Sequence, residues 1–227
     1  MFLKKLAILV DSAFFLRRAK TIWGHTLSDP TLLADDLIGY CLDHAKHLCR
    51  KSPNFYYEVT KIFVYDCPPI SKNLYHPLTQ KNIDLSQTET FKGMTAYLDC
   101  LKYKRRVALR LGHLLDSGAE YHLKGKVTRK LCRGELKIED LSLDDFELEL
   151  QQKGVDMKIG IDIATLALKK QVDAIVLIAG DSDFVPAAKL ARVEGVDFIL
   201  DPMWHPIADN LAVHVDGIMS VCSNPKK

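Results

Sequence analysis

The sequence predicts an α/β fold, a three-layer α/β/α sandwich around a central, mainly parallel sheet. Three observations predict it. The runs Leu6 to Val10 and Ala174 to Ala179 are apolar throughout, which suits central strands covered by helices on both faces. Strand-like runs alternate along the chain with segments of helical periodicity. Acids follow the two apolar runs directly, at the positions where open α/β sheets place their ligands. The 227 residues suit one domain spanning 1–227, with a surface insertion near 70–87 and a basic arm near 117–152.

Leu6 to Val10 forms the first strand. Two lysines before it imitate a signal peptide, but Asp11 cuts the apolar run and no small-residue cleavage site follows. A helix begins at once, with Phe14, Phe15 and Leu16 inward and Arg17, Arg18 and Lys20 outward. Ser28-Asp29-Pro30 signals a second helix start, a capping residue followed by Pro at the first helical position. Leu33, Leu37, Tyr40, Cys41, Ala45 and Leu48 give that helix its inner stripe. Tyr57 to Tyr65 is the second strand, stopped by Asp66-Cys67-Pro68-Pro69. Residues 70–87 are polar and weakly patterned. Thr88 to Lys104 is helical and Arg106 to Leu111 is the third strand. Residues 121–138 read as a hairpin or arm, and the acidic stretch Glu139 to Leu150 as a short helix. Met157 to Lys170 is a helix, Ala174 to Ala179 the fourth strand, Val185 to Glu194 a helix and Val196 to Leu200 the fifth strand. A short helix, Ala208 to Val213, and an edge strand, Ile218 to Val221, complete the chain.

Composition excludes little. The chain is 48% apolar and 26% charged with a net charge of +2, so any polyanion binding comes from local patches. The six cysteines are scattered and none forms a C-x-x-C pair, which argues against a zinc ribbon and for reduced thiols in a cytoplasmic protein. No stretch has the length of a transmembrane helix, so no membrane partner is expected.

The chemistry lies in the acids. Asp11 follows the first strand, and Asp181 and Asp183 follow the fourth. Asp156 starts the helix that leads into the fourth strand, which puts it on the same rim. Asp11 or Asp156 alone reads better as a helix cap. Four carboxylates on one rim repel each other unless a cation neutralises them, and Mg²⁺ or Mn²⁺ takes oxygen ligands of this kind. Such a site activates water for attack on a phosphodiester.

These residues carry a resemblance. Ile8-Leu-Val-Asp11, Lys153-Gly-Val-Asp156-Met-Lys-Ile-Gly-Ile-Asp162 and Val176-Leu-Ile-Ala-Gly-Asp-Ser-Asp-Phe-Val-Pro186 resemble the NYN domain, a family of the PIN-like nuclease fold. The resemblance is closest over 153–201 and 6–16 and loose between 70 and 150. It implies a strand order of 3-2-1-4-5 and metal-dependent RNA cleavage, with Asp11, Asp156, Asp181 and Asp183 as the catalytic and metal-binding acids. Many members have a Gly and an Asn soon after the first Asp. Here Ser12 and Phe14 stand in those places, so an amide near the site is missing. Asp162, six positions after Asp156, falls on another face of a regular helix and suits a supporting role. Asp66, just past the second strand, is another rim acid, and it reads better as a turn residue before Cys67-Pro68-Pro69 than as a ligand.

For a substrate, Lys124, Lys126, Arg129, Lys130, Arg133 and Lys137 form the densest basic run, preceded by Tyr121 and His122. Cations beside an aromatic suit single-stranded nucleic acid, and a solvated arm neutralised by the acidic stretch after it is the equal alternative. Lys153 and Lys158 bracket Asp156 and become nucleic-acid contacts through the family match. Arg17, Arg18 and Lys20 flank Asp11 but read first as an exposed helix face. His113 and His205 each follow a strand end, which allows a place on the active rim, and Trp204 could stack a base, but all three read first as ordinary surface or packed residues. The expected function is metal-dependent endonucleolytic cleavage of single-stranded RNA. The alternative is an NYN-like RNA-binding or scaffold module with little or no cleavage, and a homodimer is compatible with either. A haloacid dehalogenase type phosphatase is set aside, because that family needs an Asp two residues after its nucleophile and Ala13 stands there.

Overall fold

The computed structural model describes residues 2–115 and 117–225. β1 (Phe2–Asp11) is the central strand. It leads through α1 (Ser12–Trp23) and α2 (Pro30–Lys51) to β2 (Phe55–Asp66). A first hairpin follows, β3 (Asn73–His76) with β4 (Lys81–Asp84), and then α3 (Glu89–Lys102) and β5 (Val107–Leu111). An excursion contains β6 (His113–Leu114), β7 (Glu120–Leu123), α4 (Gly125–Cys132), β8 (Phe146–Glu149) and β9 (Gln152–Lys153). The chain returns through α5 (Val155–Leu168), β10 (Ala174–Ile178), α6 (Val185–Val193) and β11 (Asp197–Asp201). It closes with α7 (Asp209–Ala212) and β12 (Gly217–Ile218).

Six parallel strands form the main sheet in the order β12-β11-β10-β1-β2-β5. This differs from the expected five-strand order by a sixth strand, Gly217–Ile218, which pairs outside β11 and is shorter than the Ile218 to Val221 strand expected. Leu6 to Val10 are fully buried because both faces of β1 are covered. Leu6, Ile8 and Val10 face a core shared with α1, α2 and α3, while Ala7 and Leu9 face one shared with α5 and α6. The β1–β2 register slips after Leu6. Thr60, the extra residue on β2, donates its hydroxyl to the Leu6 carbonyl at 3.1 Å, so the bulge leaves no orphan acceptor there.

The helices on the two faces come from opposite sides of the β1/β10 boundary, which makes that boundary the topological switch point. Val10 pairs with Ile178, so Asp11 and the Gly180 loop leave the sheet side by side. Asp29 caps α2, accepting from the Leu32 N–H at 3.0 Å, with Pro30 as its first residue.

Two stretches differ from expectation. Residues 70–87 contain a hairpin, and the acidic stretch expected as a helix holds two 3₁₀ turns and β8. The strand has a physical reason: Phe146, Leu148 and Leu150 alternate with Glu147 and Glu149, a period of two. The β7–β8 pair packs on the first hairpin around Leu74, Leu85 and Ala119, a small core apart from the main ones. His76 lies buried there against Tyr121 and Phe146. Among the described residues no helix is long and apolar enough to cross a membrane.

Candidate active site at the switch point

Asp11 ends β1 and caps α1. Its Oδ1 accepts from the Phe14 N–H at 3.1 Å, which leaves Oδ2 for other work. Burial pushes this carboxyl above its ordinary range and Asp156 pushes the same way, against the Phe14 N–H and the Arg17 guanidinium. Asp181 repeats the device in the loop after the neighbouring strand, β10. Its Oδ1 accepts from the Asp183 N–H at 3.1 Å and starts a 3₁₀ turn, Ser182–Phe184, that buried Phe184 anchors. The Asp183 side is exposed to solvent.

Asp156 lies in the first turn of α5. The cap of that helix is Gly154, at a φ of 83° that suits glycine, so Asp156 does not spend its carboxylate on capping. Burial raises the Asp156 pKa, and Asp181 and Asp183 add to the rise. The electrostatic neighbours are therefore Asp11 with Asp156, and Asp156 with Asp181 and Asp183. All four acids stand on one rim, as the strand ends require.

A cavity of about 530 Å³ opens there, walled by Asp11, Phe14, Arg17, Arg18, Asp181 and His205. Asp156 and Asp183 do not line it. Among the described residues no three of His, Cys, Asp or Glu converge closely enough to hold an ion by themselves. The donor set still fits a hard divalent ion. Its ligands would be carboxylate oxygens that repel one another, with Arg17 opposing the rise at Asp11, and Mg²⁺ is commonly held by one or two carboxylates with water and phosphate oxygens completing the shell.

Phe14, in the place of the missing amide, is buried with its ring across Gly180. His205 meets that ring edge-on, with centroids 5.9 Å apart. The sequence places His205 just past a strand end, but a lone histidine has no pattern that separates a site residue from a surface one.

Asp66 is a correction. It is 2% exposed, not a solvated turn residue. Its Oδ1 accepts from the Cys67 N–H at 2.7 Å, while Oδ2 is buried without a protein partner. Burial lifts its pKa to about 6, with Asp11 adding to the rise and the Ser12 hydroxyl and Cys67 N–H opposing it. The signal was present: Ile62, Val64 and Asp66 share one side of β2, and the first two are core. Ser12 is fully buried with its hydroxyl 3.3 Å from the Tyr97 hydroxyl, so it supports the rim from within. Asp162 accepts from the Tyr65 hydroxyl and from the Arg110 Nε, each at 2.9 Å, one layer behind the rim.

The expected nucleic-acid residues divide. Lys153 pairs with His113 across β9 and β6, and the Lys158 charge reaches Cys67 beside Asp66. Lys124, Lys126, Arg129, Lys130 and Arg133 lie on or beside α4, and none lines the acid cavity. Several of these cations are engaged within the arm. Lys124 donates to the Asp144 carbonyl, Arg129 donates to the Gly125 carbonyl at 3.1 Å, and Arg133 lies 3.7 Å from Glu135. Arg17 and Arg18 of α1 wall the acid cavity instead.

A family model described as the NYN domain matches residues 72–206, more than half of the chain. The match includes Asp156, Asp181 and Asp183 and begins after β2, so Asp11 lies outside it. No curated protein matches the chain. A crystal structure of a protein of unknown function from Vibrio parahaemolyticus RIMD 2210633 is similar at 13% identity. The alignment covers 95% of this chain and 91% of that one, with a TM-score of 0.43.

Proposed function

The chain belongs to the NYN domain family, and on that premise we propose that it is a divalent-metal-dependent ribonuclease cutting single-stranded RNA endonucleolytically at the switch-point rim. The observation that carries the reading is that Asp11, at the end of β1, and Asp181, in the loop after the adjacent parallel strand β10, wall one cavity with Arg17. Carboxylates and a guanidinium facing one space suit a phosphodiester. The acids gather cation charge and the arginine meets a phosphate oxygen.

Asp11 and Asp181 would hold the ion directly, since each has one oxygen engaged in capping and one left over. Asp156, the electrostatic neighbour of Asp11, Asp181 and Asp183, and Asp183 itself would hold it directly or through water. A bound Mg²⁺ or Mn²⁺ supplies Lewis acidity toward the phosphoryl group and an acidified water. The protein positions the scissile phosphate between the acids and Arg17. Arg18 holds the cavity wall, because its Nε and Nη2 both donate to the Met203 carbonyl, at 2.9 and 2.7 Å. The basic arm, with Lys153 and Lys158, is proposed as an outer contact for the RNA.

Phe14 favours a second reading, an RNA-binding or scaffold module with feeble cleavage, because the family amide is replaced by a buried ring. One experiment separates them. Single-stranded RNA and DNA are incubated with Mn²⁺, with EDTA, and with the Asp11→Asn and Asp181→Asn proteins. RNA cleavage that needs Mn²⁺ and both acids supports the nuclease. RNA binding without cleavage in the wild-type protein leaves the module.

A further inference from the structure

The turn after β11 is built at unusual conformational cost. Met203 and Trp204 both have left-handed backbones, with φ of 45° and 62°. Bulky residues rarely adopt that region, and such outliers persist only where the surroundings over-determine them.

Here the surroundings do. Asp201, fully buried at the end of β11, accepts from the Met203 N–H at 2.7 Å and the Ser220 hydroxyl at 2.8 Å through one oxygen. Its other oxygen accepts from the Tyr40 hydroxyl at 2.5 Å and His44 Nε2 at 2.7 Å. The Trp204 N–H donates to the Ser220 hydroxyl at 3.1 Å and its indole N–H to the Cys222 carbonyl at 2.8 Å. Arg18 clamps the Met203 carbonyl, and the His205 N–H donates to the Pro202 carbonyl at 2.7 Å. Elements from α1, α2, β11 and the C-terminal segment thus fix three consecutive residues.

What the turn delivers is His205, to the wall that also bears Asp11 and Asp181. Its Nδ1 lies 2.7 Å from the Pro206 carbonyl oxygen. A carbonyl only accepts, so Nδ1 carries a hydrogen and Nε2 is the ring atom free to work. Phe14 limits the ring from its edge. The charged groups sharing the cavity are Arg17 and Arg18 from α1, Asp11 from β1 and Asp181 from the loop after β10.

We propose that His205 is a catalytic residue of this site, the proton donor to the oxygen that leaves phosphorus. The inference rests on the ribonuclease reading. In the step, a water oxygen bonds to phosphorus and the phosphorus–oxygen bond to the leaving ribose oxygen breaks, with its electron pair staying on that oxygen. The ring donates as the imidazolium: its Nε2 proton moves to the leaving oxygen, which leaves a neutral imidazole with Nδ1–H on the Pro206 carbonyl. The attacking water releases a proton to solvent, and solvent reprotonates Nε2 for the next turnover.

The test uses two single-stranded RNA oligonucleotides with Mn²⁺, one natural and one with sulfur replacing the leaving bridging oxygen. A thiolate leaves without a proton. His205→Ala and His205→Gln are expected to slow the natural substrate about 100-fold. The sulfur substrate should slow less than about threefold, within the ordinary spread of a wall substitution, and RNA binding and thermal midpoint should be unchanged. Equal slowing of both substrates makes His205 a structural wall residue and overturns the proposal, as does full activity in both variants. Asp181→Asn is run alongside. Cleavage by the wild type that Asp181→Asn abolishes but His205→Ala spares removes only the His205 role, whereas no cleavage by the wild type overturns the ribonuclease reading and this step together.

Discussion

Phe14 lies so close over Gly180 that a Cβ at position 180 would sit 2.6 Å from its ring. The two residues join the first turn of α1 to the loop that carries Asp181, so the spacing of the two acid-bearing segments depends on the missing side chain. Gly180→Ala is expected to push the Phe14 ring and destabilise the fold by about 1–3 kcal/mol, the range for overpacking a filled site. It should also lower RNA cleavage more than RNA binding. Denaturant unfolding and cleavage assays on the same preparation check both. An unchanged unfolding midpoint would mean that the ring moves freely.

Asp66 is expected to weaken the fold at neutral pH. Its folded pKa is raised to about 6 from 3.8, mainly by burial. Between those values the folded protein holds a proton that the unfolded chain has released. The contribution to stability is therefore fully present below pH 3.8 and lost as pH rises through 6. Asp66→Asn should stabilise the protein at pH 7 by an amount on the order of 3 kcal/mol or less, from 1.36 kcal/mol per unit, and should gain nothing near pH 3.5. Urea unfolding from pH 3.5 to 7.5 measures the difference. A gain independent of pH would point to packing instead of charge.

Much of the fold could be read from the sequence, and the failures have physical causes. The β1 and β10 runs announce themselves because both faces are covered, so no polar residue interrupts them. The excursion from β6 to β9 was harder. Its small core needs residues from two hairpins far apart in sequence, Leu74 with Tyr121 and Leu148, and neither hairpin buries much alone. Four rim acids were legible because strand ends fix a side chain's level in the sheet. Asp66 was legible as a rim acid, but its burial was not, because Cys67-Pro68-Pro69 after it suggested a turn. His205 was legible as a strand-end residue but not as a wall of the acid cavity, because that placement follows from hydrogen bonds made by α1, α2 and the C-terminal segment.

Mutual repulsion among the rim acids should appear as ion-dependent stability. Asp156 has its pKa raised by burial and by Asp181 and Asp183. With EDTA, Asp156→Asn is expected to raise the thermal midpoint slightly. With Mn²⁺ in excess, the wild type should gain and the variant should gain less, because binding to the folded state alone stabilises by mass action. Differential scanning fluorimetry over a Mn²⁺ series reads this without any RNA present. Equal gains in both proteins would place the ion elsewhere.

The RNA path is expected to follow α1 at its core and the arm at its margin. Arg17→Ala should weaken single-stranded RNA binding and lower the salt slope by roughly one ion, the signature of one lost phosphate contact. A variant with Lys126 and Lys130 changed to Gln should change affinity less, since neither residue lines the acid cavity. Anisotropy titrations in Asp181→Asn protein, at several salt concentrations, compare the two. A larger loss from the arm variant would reverse the order of contacts.

Asp201 should be the residue whose loss couples stability to the site most tightly. It is fully buried and accepts from four donors, two of which, Tyr40 and His44, come from α2. Asp201→Ala strands those donors in the core, and the Nδ1 of His44 already lacks a protein partner. The expected cost is about 3–5 kcal/mol, the range for removing one member of a buried polar cluster. Tyr40→Phe strands little and should cost about 1 kcal/mol. The two changes should be non-additive, because both act on one cluster. Cleavage should fall in Asp201→Ala beyond what the unfolded fraction explains, since the Met203–Trp204 turn loses the acceptor that fixes its N–H. Tyr40→Phe, which leaves that N–H paired, should retain nearly full activity per folded molecule. If the two variants lose activity in proportion to stability alone, the turn holds its shape without Asp201, and the buried cluster serves only the packing of α2 on the sheet.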